Sequence, residues 1–274
     1  MRTTHRNLKP FSQRINRYLA AVAALFLIAS LARAAQAEEL TIAAAADLTF
    51  AFKDVAAKFQ EQTHDTAKMS YGSSGNFFAQ IQNGAPFDMF FSADIGYAKK
   101  LEDAGLAEPG SLYEYAVGKI VLWAPNNSQL DVSKGLAVLQ DPSIKKIAVA
   151  NPEHAPYGRA AVAAMRHDNL YDQIKSKIVL GENISQTAQF VQSGNADIGI
   201  IALSLALAPS MKDKGKYFEI PAADYPPIEQ AVVIVKSSKK KETAQKFLAF
   251  MKTPATVSLM QSYGFAVPDS ATAK

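Results

Sequence analysis

The chain predicts an open α/β architecture built from parallel sheets and arranged as two lobes. Strand-like and helix-like segments alternate along almost its whole length beyond an N-terminal leader. One of the strands, "FDMFFSA" (87–93), is apolar at nearly every position, as a strand covered by helices on both faces must be. The 237 residues after position 37 are enough for two such units, each with its own core. Ligands of such folds sit between the carboxyl ends of strands and the N-termini of helices.

Each element follows from its own pattern. "ELTIAAAA" reads as a strand, and "DLTFAFKDVAAKFQEQ" as a helix with Phe52, Val55, Ala56 and Phe59 on one face. "AKMSYGSS" is a second strand, and "GNFFAQIQNG" a short helix that Gly84 closes. After the apolar third strand, "IGYAKKLEDAG" is helical. "YAVGKIVLWAPNN" reads as one apolar strand, with Trp123 in core or lobe-interface packing. "KKIAVANPEHAPYGRAAVAAMRHD" gives a strand, a Pro-rich turn and a helix from Pro156, a residue well suited to the first turn. "KIVLGENISQTAQFVQSGNADIGIIALSLA" repeats the scheme, with Ser185 as N-cap and Gly194 as terminator. "PPIEQAVVIVKSS" is a strand, and "KKKETAQKFLAFMKTPATVSLMQSYGF" supplies two closing helices. In the pairs Phe77/Phe78 and Phe90/Phe91, one ring of each is expected in the core.

The first 37 residues have the three-part layout of a secretory signal peptide. A basic segment precedes the 14-residue apolar run "LAAVAALFLIASLA", and Ala35-Gln36-Ala37 supplies the small-residue cleavage pattern. The run is shorter than the ~20 residues of a spanning helix, so a cleaved leader and an exported product, not embedded in the membrane, are expected. The leader holds six of the 29 basic residues and none of the 25 acidic ones, so the remainder has a net charge near −2. The basic pI therefore belongs to the leader and gives nucleic-acid binding no support. The chain has no cysteine, which rules out disulfides, thiolate metal sites and cysteine nucleophiles.

Four strand-to-helix junctions place small or hydroxyl residues at a helix start: "AAAADLT" (43–49), "YGSSGN" (71–76), "NPEHAPYG" (151–158) and "GENISQT" (181–187). Such residues cap helices in ordinary turns. Converging on one point, the same junctions would hold an oxyanion with backbone N–H groups and Ser hydroxyls, without a counter-cation. Enzyme motifs are missing. "YGSSG" lacks the G-x-S-x-G spacing of a nucleophile elbow, and no P-loop, dinucleotide fingerprint or metal-type His pair occurs. A Ser74/His154/Asp47 hydrolytic triad can be drawn but has no support from spacing. The run "SSKKKE" reads as a solvated helix start.

"TIAAAADLT", "SSGNFFAQIQNGAPFDMFFSAD", "IAVANPEHAPYG", "NADIGII" and "FLAFMKTPATVSLMQSYGF", in this order, resemble the periplasmic molybdate-binding proteins of ABC importers. The "GAPFDMFFSAD" block and the "NPEHAPYG" turn are the specific parts. The resemblance implies the type II periplasmic binding protein fold: two lobes, each a mixed, mostly parallel sheet flanked by helices, with the ligand in the cleft. It places the chain crossings near residues 118–123 and 230–233, so lobe 1 would comprise 38–117 and 232–274, and lobe 2 residues 118–231. It implies capture of molybdate or tungstate, delivery to an ABC permease and its ATPase, no catalysis, no cofactor, no metal beyond the oxyanion's own centre, and a monomer.

Carried over by position, the resemblance assigns ligand contacts to Ser74 and to the backbone at Tyr157 and Ile184, with Ser73 beside them. Two positions depart from the family pattern. Asp47 stands where a serine is expected, and Ala202 where a tyrosine is expected, with Ser204 the nearest hydroxyl. A carboxylate ~4 Å from a unit negative charge costs about 4 kcal/mol at an effective dielectric near 20, and a dianion roughly doubles that. A lost serine hydrogen bond is worth only about 1 kcal/mol. Three roles for Asp47 follow: it caps its own helix, it carries or accepts a proton shared with the ligand, or it binds a metal directly. The departures also leave open a different ligand, whether a protonated oxyanion, a small organic anion or a metal.

Overall fold

The computed structural model describes residues 37–268; the expected leader, residues 1–37, lies outside them but for Ala37. The first sheet contains β1 (Glu39–Ala45), β2 (Thr66–Gly72), β3 (Met89–Ser92), β4 (Tyr113–Gly118) and, from far along the chain, β10 (Ile228–Ile234). The second contains β5 (Ile120–Pro125), β6 (Ile147–Ala150), β7 (Ile178–Gly181), β8 (Ile198–Ala202) and β9 (Gly215–Glu219). Their orders are β2-β1-β3-β10-β4 and β7-β6-β8-β5-β9. In each, three strands run parallel and the fourth runs antiparallel to its neighbours on both sides: β10 in the first sheet and β5 in the second. The two lobes therefore repeat one plan.

The helices are α1 (Ala51–Thr63), α2 (Ser74–Gln82), α3 (Ile95–Asp103), α4 (Pro156–His167), α5 (Ile184–Gln192), α6 (Lys241–Met251) and α7 (Pro254–Ser262), with shorter turns between them. None among the described residues is long and apolar enough to cross a membrane. Apolar residues of α1 at Phe52, Val55 and Phe59 are buried, the i, i+3, i+7 stripe of a helix packed on one side. Phe52 meets Phe91 edge-on at 4.9 Å, and Phe247 of α6 meets Phe59 at 4.9 Å and Phe91 at 5.8 Å. Successive strand residues face opposite ways, so Phe90 enters a second cluster with Phe77, Ile81 and Leu101 under α2 and α3. Both Phe90 and Phe91 are fully buried, contrary to the expectation of one core ring per pair, because helices cover both faces of this sheet.

Several details differ from the sequence reading. The single apolar strand expected around Trp123 is two strands in two sheets, parted at Gly118 and Lys119. A Cβ at Gly118 would lie 2.2 Å from the Tyr157 hydroxyl and 2.8 Å from Gln230 Nε2, so the crossing accepts no side chain there. The return crossing falls at residues 220–227, ahead of 230–233, because Ala231–Val233 already pair with Ser92–Phe90. Strand β9, "GKYFE", lies at an edge with Tyr217 and Phe218 flanked by Lys216 and Glu219, and carries no apolar run to betray it. Asn183, not Ser185, caps α5, its side chain accepting from the Ser185 and Gln186 amides. Asp47 lies in a separate 3₁₀ turn, Ala46–Leu48, ahead of α1.

Candidate functional site

The four junctions come together. Ala45–Asp47 after β1, Gly72–Ser74 after β2, Ala155–Tyr157 after β6 and Asn183–Ile184 after β7 line one cavity of about 10 Å³, with Ala93. It lies at the carboxyl ends of parallel strands from both sheets, where the topology leaves a crevice. The starts of α2 and α4 carry no side-chain cap, at Ser73 and Ala155, so no cap takes the Ser74 and Tyr157 amides, although the Gly75 and Gly158 amides already go to the His154 and Ala155 carbonyls. Neither the Tyr157 nor the Ile184 amide is taken by a carbonyl among the described residues. No Lys or Arg lines the cavity.

The predicted residues take different parts. Ser74 is fully buried, and its Oγ accepts from the Ala93 amide at 2.9 Å, which aims the hydroxyl and leaves its proton to donate. Ser73 Oγ lies 3.0 Å from His154 Nδ1. Ser204 does not line the cavity; its hydroxyl donates to the Asp47 carbonyl at 2.9 Å and ties the turn down. Tyr157, expected to act through its backbone alone, also brings its side chain: the hydroxyl donates to Asp47 Oδ2 at 2.9 Å.

Asp47 is 1% exposed. Its Oδ2 accepts from Tyr157 and from Gln230 Nε2 at 2.7 Å, while Oδ1 is buried and has no hydrogen-bonding partner in another of the described residues. Neither its own turn nor α1 after it, whose cap position is Phe50, receives a side-chain cap, so the carboxyl is not spent on capping. Burial raises its pKa from 3.8 to about 6, against the hydrogen bonds of Gln230 and Tyr157 and its own backbone amide, which lower it. Behind it, Tyr115 donates to Gln230 Oε1 at 2.7 Å, and Gln230 Nε2 also donates to the Tyr157 hydroxyl at 2.8 Å. Burial, with Asp47 beside them, pushes both tyrosine hydroxyls well above their usual range. Sequence reasoning missed Gln230 and Tyr115. The available signal was a glutamine, next to Glu229, at the head of the apolar run "AVVIV".

Around the cavity the lobes are clasped. The Gly75 amide donates to the His154 carbonyl at 2.9 Å, Asn76 Nδ2 to Glu182 Oε1 at 2.6 Å, and Arg159 pairs with Asp94 beside Tyr97. The imagined triad does not form. His154 engages Ser73, not Ser74, and its Nε2 faces Glu182 at 3.7 Å, while Asp47 is held by Tyr157 and Gln230. Among the described residues, one grouping of metal-type side chains occurs, His167, Asp168 and Asp224, where His167 Nδ1 lies 3.0 Å from Asp168 Oδ1 and 3.6 Å from Asp224 Oδ1.

Residues 40–266 match the family described as bacterial extracellular solute-binding protein. The molybdate-binding protein ModA of Rhodobacter capsulatus is 38% identical over 246 residues, covering 90% of this chain and 95% of that protein. ModA of Azotobacter vinelandii is 40% identical over 237 residues, covering 86% and 93%. Among solved structures, the periplasmic molybdate-binding protein of Azotobacter vinelandii superposes with a TM-score of 0.80 at 36% identity, covering 84% of this chain and all of that one.

Proposed function

The chain belongs to the bacterial extracellular solute-binding proteins, and from that premise we propose that it captures a tetrahedral oxyanion, molybdate or tungstate first, and hands it to the permease and ATPase of an ABC importer. It works in the periplasm as a monomer, after loss of its leader, and turns nothing over. The lobes divide between Gly118 and Ile120 and again within 220–227. One observation carries the reading. Four loops from two sheets converge on a cavity lined by hydroxyls and unpaired helix-start amides and by no cationic side chain. That is how a tetrahedral array of oxygens is held by dipoles alone. Ser74 and the amides of Tyr157 and Ile184 are the donors in this reading. The cavity as it stands admits little more than a water-sized body, so loading requires the lobes to part and close again around the ligand.

The names of the relatives favour molybdate, and identities of 38–40% over nearly full length support carrying their ligand across. The hydrolase alternative loses its support, since Ser74, His154 and Asp47 do not assemble. Titration calorimetry of the leaderless protein against molybdate, tungstate, sulfate and phosphate tests the proposal. Molybdate and tungstate are expected to bind at least a hundredfold more tightly than sulfate or phosphate, and Ser74→Ala to weaken them about tenfold. Preference for phosphate, for a divalent metal or for none of these sets the reading aside, as does ester turnover that Ser74→Ala abolishes.

A further inference from the structure

We propose that Asp47 meets the bound anion as a neutral acid, donating a hydrogen bond from Oδ1, so that each capture takes up one proton. The inference rests on the oxyanion reading and adds to it a proton-linked specificity residue. Gln230 is oriented by Tyr115, which donates to its Oε1, and so turns both N–H bonds toward Asp47 Oδ2 and the Tyr157 hydroxyl. With Tyr157 also donating, Oδ2 is the fully supplied acceptor of the carboxyl. Oδ1 is left buried and unpartnered on a residue that lines the cavity. A proton added to this group therefore resides on Oδ1, where it converts an unsatisfied acceptor into a donor facing the ligand.

Among the described residues, no other group supplies the compensation an ionised Asp47 needs beside an anion. Tyr157 of α4 and Tyr115 of β4 face it with hydroxyls that stay neutral across the working range. Gln230 of β10 and Ser204 are uncharged, and His154 reaches the rim only through Ser73. Burial already places the carboxyl at about 6, and a like charge arriving next to it moves it further up. The balance is simple: one proton from solvent binds Oδ1 as the anion enters, and returns to solvent on release. No bond to the anion's central atom forms or breaks.

Calorimetry with sodium molybdate and sodium sulfate between pH 5 and pH 8.5, in buffers of different ionisation enthalpy, reads the proton count directly. The expected uptake is near zero at pH 5 and approaches one proton per anion by pH 8, with Kd rising about tenfold per pH unit above pH 7. Asp47→Asn supplies a permanent donor and is expected to bind with no uptake and a flat pH profile. Tyr157→Phe removes a hydrogen bond that favours the charged form, so its slope begins at higher pH than in the parent. Zero uptake at pH 8 by a parent protein that binds overturns the proposal while leaving the oxyanion reading intact. So does a slope that survives in Asp47→Asn, or a folded Asp47→Asn that binds nothing. If the parent binds neither anion at any pH, the oxyanion reading fails and takes this one with it.

Discussion

Replacing Asp47 by asparagine in the ligand-free protein tests the burial of its charge separately from binding. The carboxyl titrates at about 6 when folded and near 3.8 when unfolded. Between those values the folded state holds a proton that the unfolded state has lost, so stability falls as pH rises from about 4 to about 6 and is flat above. A shift of about two units is worth roughly 3 kcal/mol. Asparagine keeps an acceptor for Tyr157 and Gln230 and never ionises. Urea unfolding at pH 4 and pH 8 is the assay. The variant is expected to match the parent within about 1 kcal/mol at pH 4 and to exceed it by about 3 kcal/mol at pH 8, a gain of some 6–12 °C in Tm for a chain of this size. A stability difference that is the same at both pH values refutes the reasoning, because a pure packing or hydrogen-bond effect has no such pH dependence.

Two further substitutions address the clasp and the core. A Cβ at Gly75 would stand 2.8 Å from the His154 carbonyl oxygen and 2.9 Å from its Cα, so Gly75→Ala wedges the lobes apart. It is expected to enlarge the radius of gyration in solution scattering and to lower oxyanion affinity at least tenfold. Folding stability should hold or rise by up to about 1 kcal/mol, since alanine suits a helix better than glycine. Phe247 is fully buried against Phe52, Phe59 and Phe91. Phe247→Ala is expected to cost about 3–5 kcal/mol in denaturant unfolding, with affinity for the anion unchanged in the folded fraction.

The four junctions were legible because helix starts have a chemistry of their own, and small or hydroxyl residues mark them whatever the distant fold. Their convergence was not, since it depends on two sheets sharing one plan and on where the chain crosses between them. Glycine at 118 looks like any strand interruption until the Tyr157 hydroxyl is seen beside it. The role of Tyr157 was half visible: its position at a helix start spoke for its amide, and nothing local spoke for its hydroxyl. Gln230 and Tyr115 became meaningful only through β10 and β4 lying side by side, with residues 115 positions apart in the chain joined by one hydrogen bond. Asp47 was legible as a problem of charge. Its solution, one oxygen held by three-dimensional neighbours and the other left bare, was not.

Trp123 is the one tryptophan in the chain, and it lies fully buried on β5, where a Cβ at Gly215 would strike its indole at 2.1 Å. Indole fluorescence therefore watches the second sheet and nothing else, while circular dichroism averages over both. The molecule thus carries a built-in optical label for one of its halves. Overlaying the two signals along a denaturant series reads out whether the halves melt as one cooperative unit or in turn.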